Sequence, residues 1–154
     1  MKKCKYELFM RESDCWDDRY NATITNSAEI IKFLKDVVNL DKRDRETVVA
    51  VALNTKGAII GYNEVSVGDI SSSLIHPREY FKFLVLSNAA AGIIAHNHPS
   101  GCLEASGDDI KATKTLIKCG NMMHIPLYDH IIISQTGAYS LKEDDNLCLW
   151  KEID

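Results

Sequence analysis

The stretch from His76 to His98 constrains the fold of this chain more than any other. His76-Pro77 opens a helix: proline is pre-set for a first helical turn and has no N–H to leave unpaired there. From Tyr80 through Phe81, Phe83, Leu84, Val85 and Leu86 to about Ala90 that helix is apolar nearly all round, which predicts a central, buried position. Gly92 to His98 then reads as a buried strand that ends in two histidines.

The flanking segments supply the remaining elements. Residues 4–11 read as a strand and 12–25, rich in charges and turn formers, as a connection. Asn26 precedes a helical period of Ala28, Ile30, Ile31, Phe33 and Leu34, with Glu29 in capping-box position. The charged stretch Asp41 to Arg45 divides an N-terminal arm with one helix, residues 1–44, from a main domain, residues 45–154, on which the arm is expected to pack. Strands at Thr47–Leu53 and Ala58–Val67 flank Asn54-Thr55-Lys56-Gly57, a hairpin signal. A helix follows from about Gly107 to Cys119, with Gly120 as its expected terminator. Ile125–Ser134 and Ala138–Leu141 close the chain as a hairpin around Gln135-Thr136-Gly137. Alternating strands and helices with hairpins at both ends predict an α/β fold, a mixed sheet packed between helices.

Composition excludes several function classes. The chain has 154 residues, ordinary for one domain, and 45% are hydrophobic, enough for a real core. Its net charge of −4 runs against binding through nucleic-acid phosphates, although Lys111, Lys114 and Lys118 make a local basic patch. No apolar run is long enough to span a membrane. The N-terminal MKKCKYELFM lacks the apolar core of a secretory signal. Five scattered cysteines without a C-x-x-C pair read as reduced thiols of a cytoplasmic protein.

The chemistry lies in AHNHPSGCLEASGDD. Side chains of a strand repeat every two residues, so His96 and His98 face one side at the strand's end, a bidentate start for zinc. H-x-H alone also suits two polar residues at a surface turn. The next helix adds a third donor. Ser106 stands at an N-cap with Asp109 three residues on, which is also the pattern of a plain capping box. On a helical wheel Ile110, Thr113, Leu116 and Ile117 form one stripe and the three lysines the opposite face. Asp109 lies about 60° from the stripe's centre and Asp108 about 160°. Asp109 therefore leans inward, where a carboxylate needs a partner. Glu64, Glu79 and Glu104 compete as the base for an attacking water, and a solvated strand carboxylate is the ordinary role for Glu64.

The run SLIHPREYFKFLVLSNAAAGIIAHNHPSG, the S-x-x-D of Ser106 and Asp109, and LYDHIIIS together resemble the RadC-like branch of the JAB/MPN (JAMM) metalloproteins over about residues 45–142. The resemblance implies a cytidine-deaminase-like α/β sandwich and one Zn2+ held by His96, His98 and Asp109. It implies Glu64 as general base and Ser106 as a hydrogen-bond donor to a developing oxyanion. The chemistry it implies is hydrolysis of an amide or isopeptide bond in a peptide or protein substrate. Two further functions fit the same resemblance: a DNA-repair-associated module or nuclease, with weak or indirect DNA association, and a non-catalytic interaction domain. The helix-hairpin-helix DNA-binding region of full-length RadC-like proteins has no counterpart in this sequence, and the intact motif argues against the non-catalytic reading. Cys102 reads as a packed or exposed thiol, His76 as a helix cap, His124 as a loop residue and His130 as a structural, hydrogen-bonded histidine.

Overall fold

A computed structural model describes residues 10–12, 23–68, 75–144 and 146–151. Most of the strand expected at 4–11 and of the connection at 12–25 lies outside them.

Local chemistry sets the first elements. Asn26 caps α1 (Ser27–Asp36) by accepting from the backbone N–H of Glu29 at 3.1 Å. The Glu29 carboxylate reaches back to the N–H of Thr25 at 2.7 Å, one residue beyond the expected box. A single 3₁₀ turn, Leu40–Lys42, leads into β1 (Thr47–Leu53). Asn54 folds the hairpin to β2 (Ile59–Val67): its side-chain oxygen accepts from the N–H groups of Lys56 and Ala58. Gly57 supplies the φ of +76° that closes the turn.

α2 (Pro77–Leu86), β3 (Ala91–Asn97), α3 (Gly107–Met123), β4 (Leu127–Ser134) and β5 (Gly137–Ser140) complete the chain. The five strands form one sheet in the order β2-β1-β3-β4-β5. Every neighbouring pair is antiparallel except β3 and β4, which run parallel and are joined through α3.

β1 and β3 are buried along their whole lengths, so both sheet faces need cover. Val48, Ala50, Ala52, Ile94 and Ile132 pack on one face with Tyr80 and Leu84 of α2 and Leu116 and Ile117 of α3. Val49, Val51, Ile93, Ala95, Ile131 and Ile133 pack on the other with Ile30, Phe33 and Leu34 of α1. The fold is thus the expected α/β arrangement, a mixed sheet between helices. The α1 helix, expected in an N-terminal arm, forms one of its layers.

Two helices differ from their expected forms. α2 stops at Leu86, short of the expected Ala90, and packs on one face of the sheet with Val85 half exposed, so it is not buried all round. α3 continues past Gly120 to Met123 and is closed by His124 in the left-handed region (φ 56°). Gly120 sits inside the helix because the returning chain passes close by: a Cβ there would lie 2.6 Å from the Ile125 carbonyl. Among the described residues no helix is long and apolar enough to cross a membrane.

Candidate metal centre

The end of β3 and the start of α3 converge, as is usual for sites at the carboxyl ends of strands in α/β sheets. His96 pairs with Val48 of β1 on one side and Ile132 of β4 on the other, and its ring is fully buried on the α2–α3 face. His98, just past the strand, is held to β4 by its N–H donating to the Ile133 carbonyl at 2.8 Å. The two rings meet with their Nε2 atoms 2.9 Å apart.

α3 brings in Asp109, which is 6% exposed. Its Oδ1 lies 3.3 Å from His96 Nε2 and its Oδ2 lies 3.7 Å from His98 Nε2. Ser106 builds the cap that aims it: the hydroxyl accepts from the Asp109 N–H at 3.1 Å and donates to Asp109 Oδ2 at 2.6 Å. The Ser106 N–H donates to the same oxygen at 2.8 Å. The serine's one proton is thus engaged with Asp109, whereas the expected oxyanion role needs it free.

The electrostatics follow from burial and from this contact. Burial pushes His96 down to about 4, against the pull of Asp109. Asp109 raises His98 above its ordinary value, with burial opposing and the Cys102 carbonyl and Glu46 adding to the rise. Burial alone would raise the Asp109 carboxyl. His98, His96 and Ser106 outweigh it and hold that carboxyl well below the usual carboxylate range.

A second carboxylate stands on the solvent side. Glu46, His96 and His98 each offer a ligand atom, and these lie within 4.8 Å of one another. Glu46 precedes β1, and the antiparallel β1–β3 pairing sets that end of β1 beside the end of β3. Asn97, pointing away from its two histidine neighbours, fastens the segment in place. Its Oδ1 accepts from the Thr47 N–H at 2.8 Å, and its Nδ2 donates to the carbonyls of Arg43 at 3.2 Å and Arg45 at 3.1 Å. A cleft of about 440 Å3 opens on Glu46 and His98, with Asp44, Arg45, Pro99 and Ser100 along its walls.

Of the residues expected from sequence, His96, His98, Ser106 and Asp109 come together. Glu64 does not join them. It stands on β2 opposite Val49 and is ion-paired with Arg43 at the surface. Glu79 is ion-paired with Lys82 on α2, and Glu104 is exposed in the loop before α3. Glu46 went unnoticed because its place depends on strand pairing. The available signal was a carboxylate directly before a strand that runs antiparallel to the H-x-H strand. His76 occupies the N-cap of α2 without a side-chain cap bond. The Cys102 thiol is exposed, and the carbonyl of that residue accepts from His98 Nδ1 at 2.8 Å.

The donor set fits zinc. A carbonyl can only accept, so His98 carries a proton on Nδ1, and in the neutral ring Nε2 is an electron-pair donor facing the cluster. Two imidazole nitrogens with carboxylate oxygens beside them form an N/O set of the kind that Zn2+ takes in catalytic sites.

The fold and this cluster define an α/β domain with a His–His–carboxylate site capable of holding a metal. A family profile described as "RadC-like JAB domain" matches residues 24–147. The chain belongs to that family. It is 44% identical over 127 residues to a UPF0758 protein of Moorella thermoacetica, covering 79% of this chain and 56% of the relative. A UPF0758 protein of Clostridioides difficile is 44% identical over 121 residues (79% and 51%), and one of Thermotoga maritima is 35% identical over 130 residues (84% and 57%). The chain spans little more than half the length of these relatives.

Proposed function

We propose that this chain is a zinc-dependent hydrolase acting on amide or isopeptide bonds of a peptide or protein substrate. The observation that carries the reading is the convergence of His96 Nε2, His98 Nε2 and the carboxylates of Asp109 and Glu46 beside one cleft. His96, His98 and Asp109 are assigned as the zinc ligands. Asp109 is the buried carboxylate, already aimed by Ser106, and Glu46 is the one that meets the cleft.

Bound zinc would supply Lewis-acid chemistry, polarising a carbonyl and acidifying water. Glu46 then takes the base role first expected of Glu64: it stands where it can accept a proton from water and pass it to a leaving amine. Ser106 orients Asp109, and its donation to a substrate oxyanion would require the hydroxyl to turn away from Oδ2. Among the described residues the thiols of Cys102 and Cys119 are free, in keeping with a reducing, cytoplasmic setting.

Elemental analysis and a screen of peptide and isopeptide substrates test the assignment together. Glu46→Gln should keep about one zinc per chain and lose roughly 10²–10⁴-fold in hydrolysis. Asp109→Asn should lose metal and activity together, because a neutral amide is a poor zinc ligand. Zinc loss in Glu46→Gln with retention in Asp109→Asn would exchange the two roles. A wild-type protein that takes up no zinc would end the metallohydrolase reading.

A further inference from the structure

Behind His96 lies a second buried histidine that the proposed chemistry does not use. His130 of β4 is fully buried on the same sheet face, beside Ile94 in the parallel β3–β4 register. Its Nε2 lies 2.9 Å from His96 Nδ1 and its Nδ1 lies 2.6 Å from the Thr113 hydroxyl. Thr113, also fully buried, donates its hydroxyl proton one turn back along α3 to the Asp109 carbonyl at 2.6 Å.

Hydrogen-bond chemistry gives this chain a single direction. The Asp109 carbonyl can only accept, so it takes the one hydroxyl proton of Thr113. The Thr113 oxygen must then accept from His130, which puts the His130 proton on Nδ1. In a neutral imidazole only one ring nitrogen carries a proton and the other is an acceptor. The Nε2 of His130 is therefore a lone pair that accepts a proton from His96 Nδ1. The neutral His96 ring is then left with its own lone pair on Nε2, facing His98 and Asp109.

The adjacent Asp129 takes no part. Its carboxylate accepts from the Ser140 hydroxyl and from the N–H groups of His130 and Lys142. The partner behind a metal-binding histidine is usually a carboxylate, a backbone carbonyl or water. Here it is a neutral imidazole, anchored at the backbone of the residue that supplies the carboxylate ligand.

We infer that Thr113 and His130 are positioning residues that lock His96 in the Nδ1–H tautomer and so present its Nε2 lone pair to the metal. The inference rests on the reading of His96 as a zinc ligand. It assigns His130 a role in metal binding and none in contact with substrate.

The test uses two measurements on the full chain, neither of which needs a substrate. The first is the ¹⁵N spectrum of the histidine rings without metal and with added Zn2+. The expected result is a protonated Nδ1 and an unprotonated Nε2 on His96, and a protonated Nδ1 on His130. A proton on Nε2 of neutral, metal-free His96 would overturn the relay. The second is Zn2+ affinity by chelator competition, with folding checked by circular dichroism.

His130→Leu should weaken zinc binding roughly 10- to 100-fold, the usual cost of losing the partner behind a ligand. His130→Gln, whose amide oxygen restores an acceptor, should recover most of it. Thr113→Val should weaken binding and mix the His130 tautomers, whereas Thr113→Ser should match wild type. Wild-type affinity in folded His130→Leu would overturn the positioning role. If the leucine variant does not fold, equal affinities of Thr113→Val and Thr113→Ser would overturn it instead. If the wild type binds no Zn2+, the hydrolase reading and the metal-positioning role fail together. The ring-nitrogen spectrum then judges the relay alone.

Discussion

Asn97→Ala tests whether one buried amide holds the candidate base in place. Asn97 is 2% exposed and makes three hydrogen bonds to the backbone of residues 43–47. Thr47 is buried as well, so its N–H loses this acceptor in a position closed to water, at a cost of about 1–3 kcal/mol. The Arg43 and Arg45 carbonyls stand in a more open loop. Arg45 keeps a second donor in the Thr47 hydroxyl at 3.2 Å, and water can replace the rest, so each costs about 0.5 kcal/mol. The sum is about 2–4 kcal/mol, a large share of a domain's usual ~5–15 kcal/mol but short of unfolding it. Urea titration should show the midpoint falling with an unchanged slope. Thermal scans should show a loss of roughly 5–15 °C for a chain of this size. Zinc content should stay near wild type, because His96, His98 and Asp109 are carried by β3, its end and α3, while hydrolysis should fall with the placement of Glu46. A stability change below about 0.5 kcal/mol would refute the claim that Asn97 clamps the segment. Full activity in a clearly destabilised variant would refute the link to Glu46.

Glu64→Gln should leave both zinc and hydrolysis within about twofold of wild type, since it removes only a surface ion pair to Arg43 worth about 0.2–1 kcal/mol. A hydrolytic loss of a hundredfold there would restore Glu64 as the base. Burial lowers the pKa values of His96, to about 4, and of His130, so both lie below the unfolded value near 6.5. The unfolded chain then binds more protons, and the stability these rings contribute is present above about pH 6.5 and lost as pH falls towards 4. Denaturant midpoints of the metal-free protein should drop with a slope of about 1.4 kcal/mol per pH unit for each ring that differs by a full proton. A flat profile from pH 7 to pH 5 would contradict this. At Gly92 a Cβ would come within 2.4 Å of the Tyr80 hydroxyl and 2.5 Å of Leu84 Cδ1, so Gly92→Ala should cost about 1–3 kcal/mol by overpacking, read as a lowered urea midpoint. An unchanged midpoint would mean that α2 moves aside freely.

What the sequence determined by itself about this protein is what local geometry carries. Period two placed His96 and His98 on one face of a strand whatever that strand pairs with. Helical phase and capping chemistry turned Asp109 inward and put Ser106 beside it, because both depend only on residues within one turn. The alternation of elements carried the fold class for the same reason. Tertiary structure decided everything that depends on register. Glu46 joins the histidines only because β1 pairs antiparallel with β3, and Asn97 can grip its segment only across that pairing. Glu64, the base that the resemblance implied, stands one strand further out, on β2 at the sheet's edge. His130 reaches His96 across the parallel β3–β4 pair, 34 residues away in sequence. Gly120 read as a helix stop and serves instead as a point of close approach, because the chain returning to β4 passes over it. A strand's partner and a helix's neighbour are set by which apolar faces bury one another, and that is a property of the assembled core.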